Sequence, residues 1–240
     1  MKNLILFAAF ALFSHLCIAQ TQAIEEAHIN KQLADKEITP ADATIKIKEF
    51  RRIIKESGGY PELPYDTARR VFNLEYILDA PGITKNVLFT RIKEWCAIHY
   101  GDVSEVARYE SLESGKYIVK GYAPIPYKNS YKGLFGNTNT TTGELKCYHT
   151  IAFTVKDGKV KCRIEELKYH YHIASSYIGT TYYPSSDYDV YFSQKFPLID
   201  GNETNMANQF SLIRDTMKEL EWIRSGMLKY LLDWQNDYKF

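Results

Sequence analysis

The dipeptide Asp157-Gly158 restricts what this chain can fold into more than any other feature of its 240 residues. It separates two runs of alternating apolar and polar residues, Leu145 to Lys156 and Lys159 to Leu167. Asp-Gly between such runs predicts a two-residue type I′ hairpin, because both central residues of that turn need positive φ. The loop pairs Lys156 with Lys159, and so Val155 with Val160, Phe153 with Cys162 and Ile151 with Ile164. The last three pairs are apolar and share one face, so turn chemistry and hydrophobic pattern select the same register.

That register constrains the cysteines. Cys147 falls about 20 Å along the strand from the partner of Cys162, at about 3.3 Å per residue, whereas a disulfide needs Cα atoms within about 7 Å. With Cys96 on an apolar helix stripe and Cys17 in the leader, the chain reads as carrying buried thiols and no disulfide framework. Beyond Ile164, Glu165-Glu166 interrupts the alternation and predicts a bulge, which turns Leu167, Tyr169 and Tyr171 inward and His170 and His172 outward. His149, His170 and His172 suggest a metal site, since imidazole binds zinc. Under regular pairing, however, His149 and His170 lie about 13 Å apart, too far for one ion with bonds near 2 Å. Surface histidines without metal or cofactor are therefore expected, with a two-histidine ion site as the alternative.

The first residues, MKNLILFAAFALFSHLCIA, place one cation, an apolar run and a small residue in the order of a cleavable export signal. Ser14, His15 and Leu16 before Cys17 do not fit a lipid-anchored variant. The chain carries 30 Lys plus Arg and 29 Asp plus Glu, and losing Lys2 leaves 29 against 29. A neutral, exported chain is a poor nucleic-acid binder. No later segment reads as transmembrane, so a periplasmic or secreted protein is expected.

Residues 20–62 read as a helical segment, with helices over Ile24 to Asp35 and Ala41 to Ser57, the second started by Thr39 and Pro40. A main α+β domain follows over 63–240. Val71 to Leu78 reads as a strand and Asp79-Ala80-Pro81-Gly82 as a turn. A helix capped at Thr84 follows, with Leu88, Ile92, Trp95, Cys96 and His99 on one stripe and Gly101 as its stop. Val103 to Glu110 and Lys116 to Tyr122 read as strands around Glu113-Ser114-Gly115, and 124–144 and 174–197 as irregular insertions. Glu203 to Trp234 is amphipathic along Met206, Phe210, Ile213, Met217, Leu220, Met227, Leu231 and Trp234. At 1.5 Å per residue it would be about 48 Å long. It is expected to break near Ser225-Gly226 or to pack one end on the N-terminal helices.

The order strand, helix, four strands, helix, with Leu74-Glu75-Tyr76-Ile77-Leu78-Asp79-Ala80-Pro81-Gly82-Ile83-Thr84-Lys85 and Lys93-Glu94-Trp95, resembles uncharacterised exported proteins of Bacteroidetes with a TATA-binding-protein-like fold. Glu113-Ser114-Gly115-Lys116 and Phe153-Thr154-Val155-Lys156-Asp157-Gly158 belong to the same pattern. The resemblance covers roughly Leu63 to Tyr171 and implies a curved antiparallel sheet with helices on one face. It implies no activity.

Catalysis finds no motif: G-x-S-x-G, H-E-x-x-H, C-x-x-C and a Gly-rich phosphate loop are all missing from the sequence. Aromatics are the compositional anomaly, with 19 Tyr, many of them in the two insertions. Tyr joins a rigid apolar ring to a polar tip, which suits glycan, peptide or protein surfaces. The expected function is a noncatalytic envelope module that binds a protein, peptide or glycan through Tyr127, Tyr131, Phe135, Tyr182 and Tyr183. A hydrolase using carboxylates in a cleft is the alternative, and self-association through 203–234 is a further reading.

Overall fold

The computed structural model of the chain describes residues 25–60, 65–66, 71–72, 74–132, 138–173, 175–178, 181–196, 198–200 and 203–237. Their contacts gather into two units. One is drawn from Met1–Phe72, Ile125–Glu144 and Ser193–Met217, the other from Asn73–Pro124, Leu145–Phe192 and Lys218–Phe240.

In the first unit, helix α1 (25–34) precedes α2 (Pro40–Glu56). Thr39 starts α2 as expected: its hydroxyl accepts the Asp42 N–H, the Asp42 carboxylate accepts the Thr39 N–H, and Pro40 occupies the first turn. Such a capping box satisfies two backbone donors that the first turn leaves open. Phe50 of α2, Tyr60 and Phe210 pack as a triangle of rings with centroids 5.4 to 6.2 Å apart. Phe210 belongs to α5 (Glu203–Asp237), so the first half of that helix meets the N-terminal helical segment. Glu25 is buried beside them, its carboxylate accepting the N–H groups of Leu198 and Ile199 and the Tyr60 hydroxyl. Burial raises its pKa above the ordinary carboxylate value, against those hydrogen bonds.

The sheet has six antiparallel strands: β3 (Leu74–Asp79), β4 (Ala107–Ser111), β5 (Lys116–Lys132), β6 (Thr138–Lys156), β7 (Lys159–Ile173) and β10 (Ser186–Tyr191). Its order is β10-β7-β6-β5-β4, with β3 also on β7. Two short hairpins lie outside it, β1 (Tyr65–Asp66) with β2 (Val71–Phe72), and β8 (Ser176–Ile178) with β9 (Thr181–Tyr183). The β6–β7 register is the expected one, Lys156↔Lys159, Val155↔Val160, Phe153↔Cys162 and Ile151↔Ile164, but the turn is not type I′, since of its two central residues only Gly158 has positive φ. The expected bulge is present too, since Tyr148 pairs with Lys168 and Thr150 with Glu165, and Glu166 has φ +56°. It falls where β7 changes partner. Residues Lys159 to Ile164 pair with β3, and Lys168 to Ile173 pair with β10.

Alternation along these strands defines two faces. Tyr117, Val119, Ala123, Leu145, Cys147, Ile151, Phe153, Val160, Cys162, Ile164 and Tyr169 are buried on the inner one. Helix α3 (Lys85–Tyr100) covers part of it, with Phe89 against Tyr117 at 6.0 Å. The second half of α5 brings Arg224 over the Tyr76 ring at 5.2 Å. All three described cysteines are free and buried. Burial pushes Cys147 and Cys162 up to about 12, so both are inert thiols.

Three turns meet at one end of the sheet. The Ala80 N–H donates to the Gly158 carbonyl at 2.8 Å, Gly158 N–H to the Ile83 carbonyl at 2.8 Å, and Val155 N–H to the Gly115 carbonyl at 2.7 Å. Gly115 is obligatory, with φ +66° and no room for a Cβ against the Val155 carbonyl. The Asp157 carboxylate accepts the Lys85 N–H at 2.6 Å. This corrects the capping of α3: Thr84 stands at the N-cap position, but its side chain makes no capping bond, and a hairpin residue supplies one instead.

Other expectations are also corrected. Val103 to Val106 is a helical turn, α4, and the strand begins only at Ala107. Asp102 explains it, since its carboxylate accepts both the N–H and the hydroxyl of Ser104 and so starts a turn of helix. Within 124–144, β5 and β6 continue as strand to Lys132 and from Thr138. Pro124 and Pro126 permit this because the β4 pairing has already ended at Ala107↔Val119, and an unpaired edge needs no N–H. Within 174–197 the chain forms β8, β9, β10 and a 3-10 turn over Phe192–Lys195. Helix α5 does not break at Gly226, where Leu220, Ile223, Met227 and Leu231 keep its stripe buried.

Candidate binding face

The outer face of the sheet carries a row of aromatic and charged side chains across four adjacent strands. Tyr122 of β5 lies 5.7 Å from Tyr148 of β6, and Tyr148 lies 6.0 Å from His170 of β7, ring centroid to centroid. Lysines sit over the rings, Lys146 Nζ 4.9 Å from the Tyr122 centroid and Lys168 Nζ 5.6 Å from that of Tyr148. Such amine-over-ring contacts contribute about 0.5–1 kcal/mol at exposed sites. Tyr122 remains 46 % exposed.

Strand β10 supplies the acidic partners. Its register sets Asp187 opposite His172, Asp189 opposite His170 and Tyr191 opposite Lys168. Asp189 accepts from Lys168 Nζ at 2.5 Å and from His170 Nδ1 at 2.9 Å, and Asp187 accepts from His172 Nδ1 at 2.7 Å. A carboxylate offers no proton, so each imidazole carries its hydrogen on Nδ1. Hydrogen bonds from Lys168 and then His170 hold the Asp189 carboxyl below its ordinary pKa, and Asp189 in turn raises that of Lys168. At the bulge, Glu166 accepts from the Thr150 hydroxyl at 2.7 Å and pairs with Lys120 at 2.8 Å.

The inner face treats histidine oppositely. His149 is 2 % exposed, whereas His170 and His172 point outward as expected. Its Nδ1–H donates to the Cys147 carbonyl at 3.1 Å, and its bare Nε2 accepts the Tyr100 hydroxyl at 2.6 Å. Gly121 makes room for that pair, because a Cβ there would come within 2.5 Å of the Tyr100 ring. Burial pushes the His149 pKa down to about 4, so the ring is neutral. His149 therefore cannot join His170 and His172 around one ion. Among the described residues, no three or more His, Cys, Asp or Glu are grouped to hold a metal.

The five aromatics expected to form a binding surface are not gathered into one place. Tyr127, in the first unit, packs on Gly143, where a Cβ would approach its ring to 2.6 Å. Tyr182, in the second unit, is exposed on β9 opposite Tyr177. Tyr131 and Tyr183 lie in β5 and β9 with side chains outside the described ones, and Phe135 lies outside the described residues. Sequence reasoning passed over Lys146, Tyr148, Lys168, Asp187 and Asp189. Their signal is the period-two spacing within K-x-Y, K-x-H-x-H and D-x-D-x-Y, which puts each set on one face of its strand. No helix among the described residues is long and apolar enough to cross a membrane.

A family model described as "Domain of unknown function (DUF4468) with TBP-like fold" matches residues 75–170. The chain is similar to a solved DUF4468 family protein from Bacteroides ovatus, at 11% identity and a TM-score of 0.44, over 69% of this chain and 90% of that one. It is also similar to a TBP-like protein from Parabacteroides distasonis, at 12% identity and a TM-score of 0.42, over 70% of this chain and 96% of that one. No curated protein matches the chain.

Proposed function

We propose, from the match of residues 75–170 to the family of unknown function with TBP-like fold, an exported, noncatalytic binding module whose outer sheet face takes a peptide or glycan of the cell envelope. The observation that carries the reading is the Tyr122, Tyr148 and His170 row, with amines and carboxylates around half-open rings. Sugar rings and peptide backbones present an apolar face edged by polar groups, and that row presents the complement. Tyr191, 51 % exposed, continues the row onto β10. The exposed ring of Tyr182 is a further candidate contact of the same kind. A nucleic-acid ligand is disfavoured because Lys168 and Lys120 are paired with Asp189 and Glu166, and Asp187 adds a further negative charge to the face. Support for export is the charged, apolar, small-residue order of Met1 to Ala19.

The test is co-sedimentation of the mature chain with isolated peptidoglycan, and titration with peptides released from the envelope. Tyr122→Ser with Tyr148→Ser should weaken binding at least about 10-fold, the scale of an aromatic anchor. Unchanged binding by that variant would overturn the assignment of this face. Recovery of the protein from cells with Met1 still attached would overturn export.

A further inference from the structure

We propose that His170 and His172 form a two-histidine capture site for a divalent transition-metal ion, with Asp189 and Asp187 as the carboxylates that orient the two imidazoles. The residues stand two apart on β7, so their side chains leave the same face with Cα atoms about 6.6 Å apart. Each ring directs its Nδ1–H at a carboxylate, His170 at Asp189 at 2.9 Å and His172 at Asp187 at 2.7 Å. Both Nε2 lone pairs are thereby left as ligand atoms. Histidines that bind metals regularly hand their second N–H to a carboxylate in this way, which fixes the tautomer and raises ligand basicity.

The carboxylates are placed by backbone pairing, since Asp187 and Asp189 are the β10 partners of His172 and His170 in turn. Asp187 Oδ1 also lies 3.7 Å from His170 Nε2, so its charge faces the space an ion would occupy. Lys168 opposes it from the far side of Asp189, held on the other carboxylate oxygen at 2.5 Å. Two carboxylates against one ammonium leave a net charge of −1 beside the two imidazoles. Imidazole donors select zinc, copper(II) and nickel over magnesium or calcium. Two protein donors leave the remaining coordination positions to water or to a ligand group. Structural zinc sites close all four, so this site would exchange its ion readily and leave the fold indifferent to metal.

The experiment titrates chelator-treated mature chain with Zn2+ or Ni2+ alone by calorimetry, and follows histidine ring resonances by NMR as Cu2+ is added. The proposal expects saturable binding of one ion, lost in His170→Ala/His172→Ala and weakened about 10- to 100-fold by Asp189→Asn. His172, 62 % exposed in its side chain, can be replaced without disturbing the core. In the unsubstituted chain, Cu2+ should broaden the His170 and His172 resonances and spare His149. Absence of saturable binding, binding retained by the double variant, or broadening at His149 first would each overturn the site. Because the probe is the metal alone, the outcome does not depend on whether an envelope ligand binds this face.

Discussion

His149 and His170 lie on opposite faces of one sheet, and the chain uses the same imidazole for contrary ends. On the inner face the ring is sealed between the Cys147 carbonyl and the Tyr100 hydroxyl and kept neutral by burial. On the outer face it stays in reach of solvent and is held by Asp189. The difference teaches that chemistry on this fold is assigned by strand parity. The bulge at Glu165-Glu166 is the device that resets parity for everything after it.

The largest expected effect comes from cutting into one face and then the other. Phe153→Ala should cost about 3–5 kcal/mol in urea unfolding, because the Phe153 side chain is buried and its removal leaves a cavity. Tyr148→Ala, on the outer face, should fall within about 1 kcal/mol while reducing ligand binding. Equal losses would erase the distinction between the faces.

Acid sharpens the contrast next. The folded protein holds His149 with a pKa near 4 against an ordinary 6.5. The unfolded chain therefore binds the proton first, and stability is full above pH 6.5 and declines as pH falls toward 4. At 1.36 kcal/mol per pH unit the decline amounts to about 3 kcal/mol. Unfolding midpoints measured across that window should slope in the wild type and lose most of the slope in His149→Gln. A slope unchanged in the variant would place the acid sensitivity elsewhere.

The smallest effect belongs to the outer ion pairs. Asp189 has a lowered pKa, so its contribution is present above the ordinary carboxylate range and lost as pH falls through the lowered value. Its partners are partly exposed, and Asp189→Asn should cost only about 0.5 kcal/mol in low salt and less at high ionic strength. Denaturation at two salt concentrations checks it. A cost above that of the His149 window would reverse the ranking of the faces.

What could be read in advance follows the same division. The β6–β7 register was legible because Asp157-Gly158 fixes the phase and each following pair repeats it. The bulge was legible because two adjacent glutamates cannot both follow the alternation. The outer row was not, because it needs Tyr122, Tyr148, His170 and Asp189 brought side by side from four strands, and pairing across that distance leaves no local signal. For the same reason Tyr127 was expected to be displayed, whereas its fate depends on Gly143 from the facing strand. Val103 to Val106 was misread as strand because β-branched residues outweighed the Asp102 and Ser104 start signal.

The meeting of three turns at Asp157 bears on the order of events during folding. The hairpin over Ile151 to Ile164 closes a short loop and can form on the microsecond scale without help from the rest of the chain. Lys85 is 72 residues away from the Asp157 carboxylate that caps it. Closing that distance carries a large entropic cost, which a preformed turn offsets by offering a carboxylate and two backbone partners at once. Substitutions at Asp157 should therefore slow the docking of α3 more than they slow the hairpin itself. The residues most diagnostic of this fold thus coincide with the point at which distant segments are gathered in time.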